Sequence, residues 1–298
     1  MTKDIATPSR TKAIMDKHQL SFKKSLGQNF ILDANILRRM VEASGVTKED
    51  GVIEVGPGIG ALTEQFARRA KKVIAFEIDQ RLLPVLDDTL SDYTNVDIYH
   101  QDILKANMQE LFETTFSDTK DVVAAGNLPY YITTPILMAF LEKRLPIKTL
   151  TVMMQKEVGE RLAAKPGTKA YGSLSIAAQY YAETEEVMTV PATVFMPRPH
   201  VDSTIICCRI RTQPPVQVED EQLFFTVVRA AFAQRRKTLM NNLRHWIGKK
   251  GDQDALKAAF RYAGIEGGTR AEMLSLSEFA ALTDGLLKEK VVPSLELS

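Results

Sequence analysis

The stretch from Gly51 to Asp79 restricts the fold more than any other. Val52-Ile53-Glu54-Val55 reads as a strand and leads directly into Gly56-Pro57-Gly58-Ile59-Gly60-Ala61. A helix is predicted over Leu62 to Arg69, then a second strand from Val73 to Phe76, closed by Glu77 and Asp79. Strand, glycine loop, helix and strand in this order form a βαβ unit, which requires a parallel sheet covered by helices. The glycines allow backbone to approach a ligand closely, and the acid about 20 residues on falls where a ribose diol sits. Glycines that only turn the chain do not require that acid.

The loop leaves two ligand classes open, because Gly-x-Gly-x-x-Ala also fits a nicotinamide dinucleotide. Two details favour S-adenosylmethionine (SAM), whose methionine and ribose such a loop wraps without a pyrophosphate. Glu54 lies just before the loop, and the third glycine, Gly60, comes one place early. Glu54 reads as a support for the loop rather than as a catalyst.

Two further strands end in polar residues. Val96 to His100 runs into Gln101-Asp102-Ile103, and Val122-Val123-Ala124 runs into Ala125-Gly126-Asn127-Leu128-Pro129-Tyr130-Tyr131. Asp102 either caps a short helix or accepts from an adenine amino group, with Ile103 against the ring. Together, Gly56, Glu77, Asp102 and Asn127 fall at the carboxyl ends of four strands, on the rim where open α/β sheets bind ligands. The Asn127 carboxamide offers an acceptor, Pro129 stiffens the turn and Tyr130 supplies a flat face. That set suits a planar amino group on a heterocycle. Alone, it would read as an Asn-Pro-type turn with a packed tyrosine.

Elsewhere, Asp33 caps a predicted helix from Ala34 to Ala43, whose start does not explain the preceding Gln28-Asn29-Phe30. A helix follows from Thr134-Pro135 to Leu141, then a fifth strand over Thr149 to Met154. Helices are predicted over Lys156 to Ala164 and Ser173 to Ala182, joined by a mobile loop, Lys165 to Gly172. Strands follow over Glu185 to Val190 and Thr204 to Ile210. The extended connector between them carries Phe195, a second aromatic placed beside the rim.

A length of 298 residues suggests about two domains. No apolar run of about 18 residues is present, so no membrane span is expected. Residues 1–24 are polar without an apolar core, unlike a secretory signal. Cys207 and Cys208 are neighbours on a strand and point to opposite faces, so neither a disulfide nor a shared metal site is expected. A reduced, cytoplasmic protein follows. The histidines His18, His100, His200 and His245 show no ligand spacing.

A net charge of +1 argues globally against a nucleic-acid partner, but its distribution does not. The arm before residue 23 is basic and reads as a solvated tail. After Pro214-Pro215 the composition turns helical. Residues 222–250 hold Arg229, Arg235, Arg236, Lys237, Arg244, Lys249 and Lys250 without one acid, which favours a phosphate-binding surface over a merely solvated face. The expected division is a basic arm over 1–22, a catalytic domain over 23–213 and a helical RNA-binding domain over 214–298.

These motifs, in order, resemble the ribosomal RNA adenine N6-dimethyltransferases: Gln28-Asn29-Phe30, Glu54 to Gly60, Glu77-Ile78-Asp79, Asp102, Asn127-Leu128-Pro129-Tyr130, and Phe195 to Ser203. Phe232 to Leu239 with Asn241-Asn242-Leu243 resembles the small-subunit (KsgA/RsmA) branch specifically, rather than the erythromycin-resistance methylases. The resemblance implies a Rossmann-like, mostly parallel, seven-stranded SAM-dependent methyltransferase sheet with a small all-helical C-terminal domain. It implies a monomer that transfers four methyls, two to each of two adjacent adenosines near the 3′ end of 16S rRNA, in a pre-30S particle. Asn29, Ile31, Gly56, Glu77, Asp102 and Asn127 would contact SAM, and no metal is implied. Asn127 and the Leu128 main-chain carbonyl would hold the adenine N6 hydrogens while Tyr130 and Phe195 stack the base. Arg235, Arg236, Lys237 and Arg244 are the expected RNA contacts. Two other readings stay open: a 23S rRNA methyltransferase, and a ribosome-assembly binder with secondary catalysis.

Overall fold

The computed structural model describes residues 3–23, 27–248 and 251–291. Lys24, Lys249, Lys250 and the tail after Val291 lie outside the described residues. The chain divides into two compact units. One holds the described residues up to Gly159 together with Glu183–Ile210; the other holds Glu160–Ala182 and the described residues from Arg211. A single cut near residue 213 therefore does not describe the grouping, because Glu160–Ala182 clusters with the C-terminal helices.

The strands are β1 (Phe30–Ile31), β2 (Gly51–Val55), β3 (Lys72–Glu77), β4 (Val96–His100), β5 (Val122–Asn127), β6 (Thr149–Gln155), β7 (Ala182–Val190), β8 (Phe195–Met196) and β9 (Ser203–Ile210). Seven form one sheet in the order β4-β3-β2-β5-β6-β9-β7. The neighbours from β4 to β6 pair in parallel, and β9 runs antiparallel to β6. The chain leaves β2 toward β3 and β4, then returns to β5 on its other side. The sheet thus has its topological switch point between β2 and β5, where a crevice opens at the strand ends. Central strands covered on both faces read as near-continuous apolar runs. Accordingly Val52, Ile53, Val73, Ile74, Ala75, Val123 and Ala124 are wholly buried.

The short pair β1 and β8 escapes sequence reading, since two residues carry no period. Phe30 pairs with Met196 and Ile31 with Phe195, antiparallel. This brings the Gln28-Asn29-Phe30 segment and Phe195 together across more than 160 residues of chain.

The basic arm is not a solvated tail. Pro8–Lys17 is a helix, and Ile5, Ala6 and Thr11 are fully buried. The Ile5 N–H donates to Glu64 Oε2 at 2.9 Å, and Arg10 reaches Glu64 Oε1 at 3.3 Å. Asp4 pairs with Arg38 and, at 2.6 Å, with Arg68. Lys17 and His18 both meet Asp88. A buried carboxylate with a backbone donor and two guanidinium partners (Arg68 at 3.1 Å is the second) holds the arm in place.

The second unit is helical, with helices Ser173–Tyr181, Glu221–Ala231, Leu239–Ile247, Gln253–Tyr262 and Leu276–Lys288. The loop expected to be mobile is tied within this unit: Gly167 N–H donates to the Glu272 carbonyl at 2.8 Å, and Tyr171 is buried edge-on to Phe232. Cys207 and Cys208 are both free and buried.

Candidate active site

One cavity sits at the switch point, built from the carboxyl ends of β2, β3 and β5, the Asp102 turn, the Gly27–Ile31 segment and Phe195. Every residue expected to contact SAM or the target base lines it: Asn29, Ile31, Gly56, Glu77, Asp102, Asn127, Leu128, Tyr130 and Phe195. Glu54 and Ile103 line it too.

Close backbone approach explains the glycines. Gly58 has φ +63°, and a Cβ there would meet the Phe30 ring at 3.2 Å. Phe30 therefore lies on the glycine loop, which gives the motif around residues 28–30 its physical reason. Gly126 faces a harder limit: a Cβ would fall 2.7 Å from the Val55 carbonyl oxygen and 2.8 Å from Leu128 Cδ2. The residue before Asn127 must be glycine for β5 to lie against β2 and for Leu128 to turn back into the core.

The acids are arranged as acceptors. Glu77 Oε1 takes the N–H groups of Ile78 and Asp79, each at 2.8 Å, and Oε2 takes Gly58 N–H at 3.3 Å. Burial pushes the Glu77 carboxyl upward, and these backbone donors pull against it. Asp102 does cap the short turn Ile103–Lys105, accepting from Leu104 N–H at 3.0 Å through Oδ1. It does this while lining the cavity, so the cap does not take Asp102 away from the cavity wall. Asp79 is bound by Arg81 at 2.6 Å and by Gln28 Nε2 at 2.8 Å, and these hold its carboxyl down at about 2. Gln28 thereby ties the Gly27–Ile31 segment to the end of β3.

Glu54 is the outlier. It is 1% exposed, its Oε2 has no hydrogen-bond partner, and burial pushes its carboxyl up to about 8, with Glu77 nearby adding to the rise. The buried Thr63 hydroxyl, on the helix that follows the glycine loop, faces this carboxyl and opposes the rise.

Asn127 ends β5 with a defined orientation. Its Nδ2 donates to the Asn29 main-chain carbonyl at 3.1 Å. Asn29 in turn donates its Nδ2 to the Gly27 carbonyl at 3.0 Å. With the amide nitrogen engaged, the Asn127 carbonyl oxygen is the end left to accept. Tyr130 is anchored through its hydroxyl to Ser203 Oγ at 2.9 Å, which sets its ring against the cavity. Phe195 is held by the β1–β8 pairing and is 4% exposed, so only a small part of its ring faces the opening.

In the helical unit Arg229, Arg235, Arg236, Lys237 and Arg244 are all exposed. An acid does reach this surface from outside the 222–250 run: Glu272 lies 3.6 Å from Arg235. Asn242, named in sequence only as part of a motif, is buried and donates to the carbonyls of Ala231 and Gln234 at 2.5 and 3.2 Å. It shapes the turn that presents Arg235 to Lys237. Among the described residues, no group of three or more His, Cys, Asp or Glu could hold a metal ion.

A mostly parallel seven-stranded sheet in this order, with acceptors ending successive strands around the switch point, defines a Rossmann-like methyltransferase fold. The ribosomal RNA adenine dimethylase family model matches residues 19–286. The chain belongs to that family. It is 59% identical over 290 residues to the ribosomal RNA small subunit methyltransferase A of Bacillus mycoides (strain KBAB4), covering 97% of this chain and 99% of that one. The protein of the same name from Geobacillus thermodenitrificans (strain NG80-2) is 59% identical over 288 residues, with 96% and 98% covered. Among solved structures, the 23S rRNA methyltransferase ErmE superposes with a TM-score of 0.67 at 27% identity, covering 86% of this chain and 99% of that one. A dimethyladenosine transferase from Plasmodium falciparum reaches 0.72 at 24% identity, with 88% and 98% covered, a likeness of fold.

Proposed function

We propose that the protein uses SAM to dimethylate N6 of two adjacent adenosines near the 3′ end of 16S rRNA in the maturing small subunit. One observation carries the chemistry: the Asn127 amide is fixed through Asn29 so that it presents an acceptor at the switch-point cavity. The small-subunit target is supported by the near-full-length identity to relatives of that name.

The cavity fits SAM by its donor set. Glu77 offers acceptors for a ribose diol, Asp102 for an adenine amino group, and Ile103 an apolar wall. Gly56 has φ +69° and nothing within 4 Å of a built Cβ, so its backbone is open to a ligand. Asn29, Ile31 and Asn127 complete the set. When bound, SAM supplies a methyl already activated by its sulfonium.

The adenine amine is the weak partner, because its lone pair is delocalised into the ring. The task of the protein is to position that amine and turn its lone pair out of conjugation. Asn127 Oδ1 and the Leu128 carbonyl accept the two N6 hydrogens. Tyr130 and Phe195 stack the base. Arg235, Arg236, Lys237 and Arg244 hold the phosphates of the RNA, within a pre-30S particle in the cytoplasm, with the protein acting as a monomer.

Labelled SAM offered with equal amounts of immature small and large subunits tests the target. Label in the small subunit is expected; label in the large subunit overturns this reading in favour of a 23S enzyme.

A further inference from the structure

Tyr131 is the most exposed large apolar side chain among the described residues, at 58%. It is not on a remote surface: it lines the opening of the cavity, one residue after the Tyr130 ring that is anchored to Ser203. Its place is fixed from several sides. Gly27, at φ +58°, lies beside the turn: a Cβ there would be tight against Pro129 Cβ at 3.3 Å and in ordinary contact with the Tyr131 ring at 3.7 Å. Gln28, the next residue, is tied to Asp79. The Pro129 carbonyl accepts from Ile132 N–H at 3.1 Å and from the Thr133 hydroxyl at 3.0 Å, which closes the turn carrying Tyr131.

What sets this ring apart from other exposed side chains is its place on the cavity wall, where its free face can take a planar base. Readers of unpaired RNA stack successive bases on aromatic side chains, and here two consecutive tyrosines in the turn after β5 both line the cavity. We propose that Tyr131 is a positioning residue that stacks the base of the nucleotide next to the adenosine held at Asn127. This rests on the RNA-methylating reading above. Both target adenosines enter the pocket in turn, so each must leave its stack to react, and the one outside the pocket is the base that lies against Tyr131. Tyr131 thus holds the strand on one side of the reacting nucleotide, while Asn127 and Tyr130 hold the nucleotide itself.

The full chain with Tyr131→Ala, and separately with Tyr131→Phe, tests this. Initial rates are measured against immature small-subunit particles, with SAM affinity by calorimetry. For Tyr131→Ala the KM for the particle should rise about ten-fold, the effect of losing one base–aromatic stack, with kcat within about two-fold and SAM affinity unchanged. Tyr131→Phe keeps the face and should match the parent within about two-fold. An unchanged KM in Tyr131→Ala, an equal rise in Tyr131→Phe, or weakened SAM binding would each overturn the proposal. Should the parent fail to methylate small-subunit particles, the functional reading falls on its own. Tyr131 is then decided by anisotropy with a single-stranded oligoadenylate: weaker binding by Tyr131→Ala supports the stack, and equal binding overturns it.

Discussion

Asn127 and Asn29 are joined by one hydrogen bond, 3.1 Å from the Asn127 side-chain nitrogen to the Asn29 main-chain oxygen. The bond makes the orientation of a cavity-facing carboxamide a property of a segment nearly one hundred residues earlier. Asn127→Ala should lower kcat by about 10²–10³, the scale of losing a preorganised polar contact in a closed site, while the melting temperature stays within a few degrees. Asn127→Asp places a carboxylate oxygen against the Asn29 carbonyl and should be at least as inactive. Rates near the parent in either variant would remove Asn127 from the chemistry.

Gln28 links that same segment to Asp79 at the end of β3. Gln28→Ala should raise the KM for SAM several-fold, because Gly27–Ile31 forms one wall of the cavity. It should leave global stability nearly unchanged, since Gln28 is only part-buried. Titration calorimetry reads the affinity directly, and an unaltered SAM affinity would contradict this role.

Glu64 anchors the arm that sequence reading took for a tail. Glu64→Ala leaves the Ile5 N–H without its carboxylate and leaves Arg10 without a partner it now holds. A loss of about 1–3 kcal/mol is expected, the cost of leaving a buried donor unsatisfied. Urea unfolding followed by circular dichroism measures it. A loss below about 0.5 kcal/mol, the level of an ordinary surface substitution, would mean the arm is not held through this carboxylate.

Glu54 makes the stability depend on pH. Burial pushes its folded carboxyl up to about 8, against an ordinary value of 4.5. Between these values the folded protein keeps a proton that the unfolded chain has lost, so stability falls as pH rises through the window. It is fully present below the ordinary value and lost by the time the folded group ionises. Glu54→Gln cannot ionise and removes this fall. The melting temperature of Glu54→Gln relative to the parent should therefore climb from pH 5 to pH 8.5. Parallel curves would show that Glu54 is ionised throughout.

Much of this site was legible because its residues announce themselves locally. The glycine loop, Glu77 and Asn127 each end a strand whose apolar run is short and plain, Asp102 follows the more polar β4, and the rim follows from their order. What stayed hidden depends on contacts distant in sequence. The β1–β8 pair has two residues per strand and no period to read. Ile5 and Thr11 are buried beside Arg10 and Lys12, so charge masked the inner face of a short helix. Glu64 looks like any helical acid until the arm folds onto it. Asn242 looks like a motif for RNA, yet it is buried and bonds the backbone of its own unit. The grouping of Glu160–Ala182 with the C-terminal helices leaves no composition break, whereas Pro214-Pro215 does.

The most direct test of the central claim is the identity of the product. Immature small subunits are incubated with the protein and SAM, the 16S rRNA is digested, and its nucleosides are identified and mapped by mass spectrometry. N6,N6-dimethyladenosine at two adjacent positions near the 3′ end is predicted for the parent, and its absence for Asn127→Ala. Methylation at another atom, at guanine or cytosine, or at equal level in Asn127→Ala would contradict an adenine N6-dimethyltransferase built around Asn127.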